Sequence, residues 1–215
     1  PTLHVLPGMV PYNVAEIGHG AFHRGTTGRL AVQDDAVLRP WLAVFARAGV
    51  PIDRQANMLP VQWGKLLLNL NNPVNALSGL PLRQQLLDRG YRRCLAALMD
   101  EALEALAWAN IKPAQLAAVP PRLMPLILRL PDALFRVVAA RMLRIDDKAR
   151  SSMADDLALG RGTEIDALCG EVVRLARSNG ARAPRSAKMV ELVEAWPQRP
   201  HPIPATELLS ALGVK

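Results

Sequence analysis

SSMADDLALGRGTEIDALCG, residues 151–170, holds two runs of helix-forming residues parted by Gly160-Arg161-Gly162. In the first run Ser152 and Asp156 stand at i and i+4 and are neighbours on one face, while Met153 and Leu157 fill the adjoining stripe that turns to a core. The glycines stop that helix, and Thr163-Glu164-Ile165-Asp166 has the spacing of a capping box that opens the next one. Glu164 then falls in a first turn, where the helix dipole stabilises a carboxylate by about 0.3 to 1 kcal/mol, so structure alone accounts for an acid there. That account leaves over Gly-Arg-Gly itself, which reads as a flexible corner where backbone and one arginine can approach something closely.

The rest of the chain after residue 56 is helical by the spacing of Leu, Ala and Val. Helices are expected at 59–72, 74–79, 81–87, 89–109, 113–118, 121–130, 132–143, 147–158, 163–179 and 184–195, with Pro or Gly at most joints. Arg89 to Ala109 carries Leu95, Leu98, Ala102 and Leu106 at helical spacing, the pattern of a central bundle helix. Before residue 56 the character differs. VLPGMVPYNVAEI (5–17) and AFHRGTTGRLAVQ (21–33) read as two strands of a hairpin turning at Gly18-His19-Gly20, followed by a helix over 35–48 and a strand over 50–53. The organisation expected is therefore an α/β portion at 1–55, a helical domain at 56–197, and a tail at 198–215 in which RPHPIP resists helix and TELLSALG forms one short capped helix ended by Gly213.

Composition narrows the function. Among 215 residues no apolar stretch reaches the roughly 20 that a bilayer span requires, and the first residues lack a secretory pattern, so a soluble, cytoplasmic protein with no membrane partner is expected. The net charge of +7 is mostly arginine, since Lys65, Lys112, Lys148, Lys188 and Lys215 are the only lysines. The arginines are scattered among acids and aromatics make up 4%, which argues against nucleic acid and fits a field favouring small anions. Cys94 and Cys169 stand apart in helical patterns and read as buried thiols. His19 and His23 have no acidic or thiol companion, so no metal is expected. Trp41, Trp63, Trp108 and Trp196 are dispersed and read as packing. GHGAFHRG (18–25) lacks the G-x-G-x-x-G spacing and joins strand to strand, so it reads as a hairpin turn rather than a phosphate loop.

One further stretch carries chemistry. In QWGKLLLNLNNPVNALSG (62–79), Lys65, Asn69 and Asn72 fall at i, i+4 and i+7 among leucines, on one helix face. Asn is a poor helix former and gains little on a solvent face. A lone ammonium with amides in apolar surroundings suits a pocket wall, where partial desolvation would lower the lysine pKa towards a useful general acid. A snorkelling lysine with asparagines closing the helix before Pro73 explains the pattern equally well.

WGKLLLN, SSMADDLALGRGTEID and GEVVRLARSNGARAP, in this order and separation, resemble the ketopantoate reductase (2-dehydropantoate 2-reductase) family over most of residues 1–196. The resemblance implies a mainly α chain: a helical substrate domain of the ketopantoate reductase and 6-phosphogluconate dehydrogenase C-terminal-like type, preceded by the closing part of an NADP-binding α/β domain. It implies an oxidoreductase that takes hydride from NADPH and reduces a branched 2-oxo acid to the 2-hydroxy acid, as in pantoate and coenzyme A biosynthesis, in a cleft between the domains. By motif position Lys65 is the general acid, Asn69 orients substrate, Ser152 binds its carboxylate, Glu164 bonds substrate or the cofactor ribose, and Asp156 supports the same site. Asn72 precedes Pro73 one residue earlier than the family pattern, which puts its role and that of Asn75 in question and admits a different 2-oxo acid. A chain without G-x-G-x-x-G or a βαβ unit is expected to be inactive alone. Unpaired strand edges predict a homo-oligomer, a dimer or larger. The alternative from another class is a non-catalytic helical dimerisation module.

Overall fold

The computed structural model describes residues 3–12, 14–16, 18–24 and 28–214. The chain divides into two compact units, Pro1–Lys65 and Leu66–Lys215, and the boundary falls inside one helix.

The first unit is built on short strands. β1 (Gly8–Met9) pairs antiparallel with β4 (Leu30–Gln33), and β4 pairs parallel with β5 (Ile52–Gln55), giving the order β1-β4-β5. β2 (Val14–Glu16) and β3 (Phe22–Arg24) form a separate antiparallel hairpin whose turn runs through Gly18, His19 and Gly20, all at positive φ. The expected hairpin is thus present, but its flanks are consumed by the second sheet. Between β4 and β5 lies a 3₁₀ turn (Ala36–Leu38) and α1 (Arg39–Arg47). Strand, helix and parallel strand make a short βαβ unit, contrary to the sequence expectation that none exists; the strands are four residues each, too short to show their period. Gln33 fastens the end of β4 to the segment beyond β5: its Nε2 donates to Ala56 O (2.8 Å) and its Oε1 accepts from Met58 N (3.1 Å).

The second unit is helical. α2 (Leu59–Asn69) enters it and is succeeded by α3 (Asn71–Ser78), α4 (Leu82–Leu87), the twenty-residue α5 (Arg89–Trp108), α6 (Met124–Arg129), α7 (Asp132–Val138), α8 (Ser152–Ala158), α9 (Glu171–Ser178), α10 (Pro184–Glu194) and α11 (Ala205–Ala211). α5 is the axis. α3, α4, α6, α9, α10 and α11 all pack on it, and Cys94, Leu95, Ala96, Leu98, Ala102, Ala105 and Leu106 are buried there. Such a helix, apolar on most sides, belongs in a core. The tail is part of this unit: α11 lies on α5, Tyr91 Oη donates to Ile203 O (2.8 Å), and Ile203 N donates to Leu77 O (2.8 Å).

Two charged residues of α5 are buried and each closes a joint. Arg92 is fully buried and donates to Leu128 O, Leu86 O, Leu87 O, Leu130 O and Asp132 Oδ1 at 2.7 to 3.1 Å, with Phe135 stacked 4.1 Å from its guanidinium. A guanidinium has five N–H donors, and each finds an acceptor. It ties the ends of α4 and α6 to the start of α7. Glu101 is 5% exposed and receives Arg185 N (2.9 Å) and Ser186 N (2.7 Å), so a carboxylate from α5 satisfies the orphan donors at the start of α10.

Several helix expectations are corrected. Residues 113–118 are not helical: a residue before proline, here Lys112, is disfavoured in helical dihedrals, and the Gln115 amide donates to Ala117 O (3.1 Å) and Ala118 O (3.4 Å). α7 stops at Val138 instead of 143. α8 starts at Ser152 rather than 147, because Ser151 is its N-cap. The helix expected over 163–179 opens as a π-helical turn, Asp166–Gly170, with no side-chain cap bond, and continues as α9, so Thr163 does not open a capping box.

The joints and the core can each be probed in solution. Arg92→Ala should destabilise the fold by about 3–5 kcal/mol in urea denaturation, since four carbonyls and a carboxylate lose their donor; Arg92→Lys, with three donors, should lose a large part of this too. The Arg92 hydrogen bond lowers the Asp132 carboxyl pKa, so the stability it lends is full above the ordinary carboxylate range and is lost as pH falls through the depressed folded value; Asp132→Asn should flatten that acid limb. Burial pushes the Cys94 and Cys169 thiols up to about 12, so iodoacetamide at pH 8 should leave both unmodified until urea opens the fold.

Candidate functional site

α2 ends at Asn69 for a local reason. Pro73 has no N–H to give to the Asn69 carbonyl, so the helical ladder is interrupted at Leu70 and restarts as α3. Lys65 and Asn69 remain on one helix, one turn apart, whereas Asn72 lies beyond the break and not on the same uninterrupted face. Lys65 is half-buried and has no hydrogen bond or ion pair among the described residues. Asn69 is half-buried at the last position of α2.

α3 and α8 pack on each other through a polar joint. Asn75 is fully buried; its Nδ2 donates to Leu80 O (2.9 Å) and its Oδ1 accepts from Ser151 N (2.9 Å). Ser151 Oγ in turn donates to Asn72 O (3.2 Å) and accepts from Ala154 N (3.2 Å) as the N-cap of α8. Both ends of the Asn75 amide are therefore spent on structure. The Asn72 side chain is half-buried and has no partner among the described residues, which leaves it, and not Asn75, able to meet a ligand.

Ser152 is exposed in the first turn of α8, and Asp156 is half-buried one turn on. Gly160 then takes φ +64°, with Gly160 N bonded to Leu157 O (3.2 Å) and Arg161 N to Asp156 O (2.8 Å). This is a Schellman stop. The Gly-Arg-Gly corner is thus a helix terminator, and a side chain at Gly162 would meet open space rather than a closely approaching group.

Glu164 is exposed just before the π turn, and its carbonyl accepts from Leu168 N (3.1 Å). Arg174 holds that turn, donating to Asp166 Oδ1 (2.8 Å), Asp166 O (2.9 Å) and Glu171 Oε2 (2.8 Å). A Cβ at Gly170 would stand 2.3 Å from Asp166 Oδ1 and would push that carboxylate from its place beside Arg174. A widened turn of this kind costs regular hydrogen bonding and is frequently kept at functional sites.

Asn69, Asn72, Ser152, Asp156 and Glu164 all belong to the second unit, and Lys65 is the last residue of the first. The sequence left the role of Asn75 open and gave no role to Ser151 or Arg174. The doubled serine of SSM was the available signal, because only one of the two can cap. Among the described residues no group of three or more His, Cys, Asp or Glu side chains could hold a metal ion. The turn from β4 toward α1, Asp34-Asp35-Ala36, carries no glycine. The βαβ crossover leaves β4 through Asp34 and Asp35, whose carboxylates would repel a pyrophosphate, and Asp35 Oδ1 already accepts from Val37 N (2.8 Å).

No curated protein matches the chain in sequence. Among solved structures it is similar to a PanE/ApbA family ketopantoate reductase from Ralstonia eutropha JMP134, with 26% identity, 87% of this chain and 57% of that chain covered, and a TM-score of 0.68. It is also similar to the dimeric ketopantoate reductase of Staphylococcus aureus (18% identity, 92% and 63% covered, TM-score 0.70). A third is D-mandelate dehydrogenase in a ternary structure with NADH and anilino(oxo)acetate (17% identity, 87% and 58% covered, TM-score 0.65). The chain spans less than two thirds of the length of each. The family model described as ketopantoate reductase PanE/ApbA C terminal matches residues 57–196, which takes in α2, the Asn75–Ser151 joint, Glu164 and the π turn. The chain belongs to the ketopantoate reductase PanE/ApbA C-terminal family.

Proposed function

We propose that this chain supplies the substrate contacts and the proton in the NADPH-dependent reduction of a branched 2-oxo acid to its 2-hydroxy acid, with 2-dehydropantoate as substrate. The observation that carries the reading is Lys65: a half-buried ammonium without a partner, one helical turn from Asn69, inside the matched residues. A lysine kept for structure commonly pairs with a carboxylate; this one has no such partner among the described residues.

The roles rest on side-chain chemistry. The Lys65 ammonium donates to the ketone oxygen and passes it a proton as the alkoxide develops, so its charge is most useful in the transition state. The Asn69 amide orients the same oxygen or the neighbouring hydroxyl. Ser152, free because Ser151 does the capping, donates to the substrate carboxylate. Glu164 accepts from a substrate hydroxyl, and Asp156 holds its surroundings in place. With two carboxylates and no glycine at the turn from β4 toward α1, the hydride is brought by groups outside the described residues. A homodimer is proposed for the working assembly and a cytoplasmic location for the protein.

A second substrate is favoured by one observation. Asn72 stands seven residues after Lys65, beyond the break at Leu70, so a side-chain amide reaches the substrate from a different point than the family pattern implies. A 2-oxo acid with a different branch is the alternative.

The 215-residue chain alone should not oxidise NADPH in the presence of 2-dehydropantoate; robust turnover would defeat this reading. Placed behind a nucleotide-binding domain that restores activity, Lys65→Ala should lower kcat by about 10²- to 10⁴-fold with little change in melting temperature. A loss of melting temperature with kcat retained would make the lysine structural. Asn72→Ala should change the order of preference across a panel of 2-oxo acids, while Asn75→Ala should lower stability by about 1–3 kcal/mol in denaturation and leave that order alone.

A further inference from the structure

The surface formed by α6, α7 and the 116–123 segment is unlike the rest of the second unit. On α7, Phe135 is buried and faces inward, yet Leu134, Val137 and Val138 are exposed, Val137 by 75%. At 100° per residue these three form an i, i+3, i+4 stripe centred about 100° round the helix from Phe135. Leu116, Leu123 and Leu126 extend the exposed apolar area across the neighbouring segment, Leu126 being 60% exposed. A helix that is apolar on both its inner and outer faces has a second surface to cover.

A cavity of about 270 Å³ adjoins this apolar surface, with Val138 common to both; it is lined by Ala117, Met124, Ile127, Val138 and Met142, with Arg141 as the polar side chain among its walls. The stretch 112–145 contains Lys112, Arg122, Arg129, Arg136, Arg141 and Arg144 against one acid, Asp132. That acid is bound to Arg92, and Arg129 is bound to Asp100. Arg122, Arg141 and Arg144 have no ion-pair partner among the described residues.

We propose that this face docks an amphipathic helix of another protein, one with aliphatic side chains at its centre and Asp or Glu at its flanks. The methionine-lined cavity receives an anchor side chain, and Arg141 and its neighbours meet the acidic flanks; methionines suit such a groove because they adapt to the shape they receive. Charge decides against the competing occupants. In a two-fold dimer the patch meets its own copy, and unpaired arginines would face arginines. An anionic bilayer answers the charge, but bilayer-seating faces are typically supplied with Trp or Tyr at the interface, and residues 112–145 contain neither.

The test uses the 215-residue chain and two labelled peptides of about 16 residues, long enough to be helical: one carries leucines at i, i+3, i+4 and i+7 with glutamates around them, and its twin carries lysines in place of the glutamates. Fluorescence anisotropy should show the acidic peptide binding at least about tenfold more tightly than the twin, with the advantage shrinking as salt rises. Val137→Asp and Arg141→Glu should each remove most of that binding without lowering the melting temperature, both positions being on the surface. Equal affinity for the twins, or binding indifferent to Val137→Asp, would overturn the proposal. So would sedimentation showing a dimer that Val137→Asp splits, or phosphatidylglycerol vesicles that bind the chain through Val137 when the acidic peptide does not.

Discussion

A buried guanidinium with all five donors used constrains the second unit more than any other single group. Removing a charge from water costs several kcal/mol, and that cost is recovered only when every N–H is answered. Arg92 meets the condition by drawing carbonyls from the ends of two helices, which needed donors because terminal carbonyls of a helix have no partner within it, and a carboxylate from the start of a third. Each side thus solves the other's problem. The ends of α4 and α6 and the beginning of α7 cannot shift independently without stranding a polar group in the core.

Glu101 and Asn75 repeat this logic at other joints. Glu101 answers donors at the start of α10, and Asn75 answers one at the start of α8 while spanning α3 and its succeeding turn. The consequence for the candidate site is a division of labour between adjacent residues. Asn75 and Ser151 are engaged on both sides and hold the framework; the side chains of Asn72 and Ser152, their near neighbours, have no hydrogen-bond partner among the described residues. Family membership alone does not make that separation, since both members of each pair lie within the matched residues.

The parts of this arrangement legible in the sequence are those whose cause is local. The period of Leu and Ala marked α5 to within a residue, 89–109 against Arg89–Trp108, because a helix buried on most sides repeats its signal for five turns. Lys65 and Asn69 stood out since polar residues of that kind are misplaced among leucines unless a pocket or a helix end claims them. Where the cause is tertiary, the sequence was silent or misleading. Strands of four residues carry too little alternation to reveal the β4–α1–β5 crossover. The Asn75–Ser151 bond joins positions 76 residues apart. Residues 113–118 looked helical by apolar spacing, and Pro113 and a side-chain amide turned them elsewhere.

The π turn at Asp166–Gly170 has a geometric effect that outruns its size. Five residues occupy a single widened turn, so it amounts to one surplus residue lodged in an otherwise α-helical run, kept in place by the Arg174 clamp and by the missing side chain at 170. Deleting one residue there would let the ladder close in the ordinary way. It would also swing everything upstream by about 100° around the axis, carrying Glu164 to another side of the helix while Val172 and Ala176 stayed in the core. The bulge therefore sets the aim of a carboxylate by phase rather than by contact, and a chain that gained regularity here would lose the direction in which that acid points.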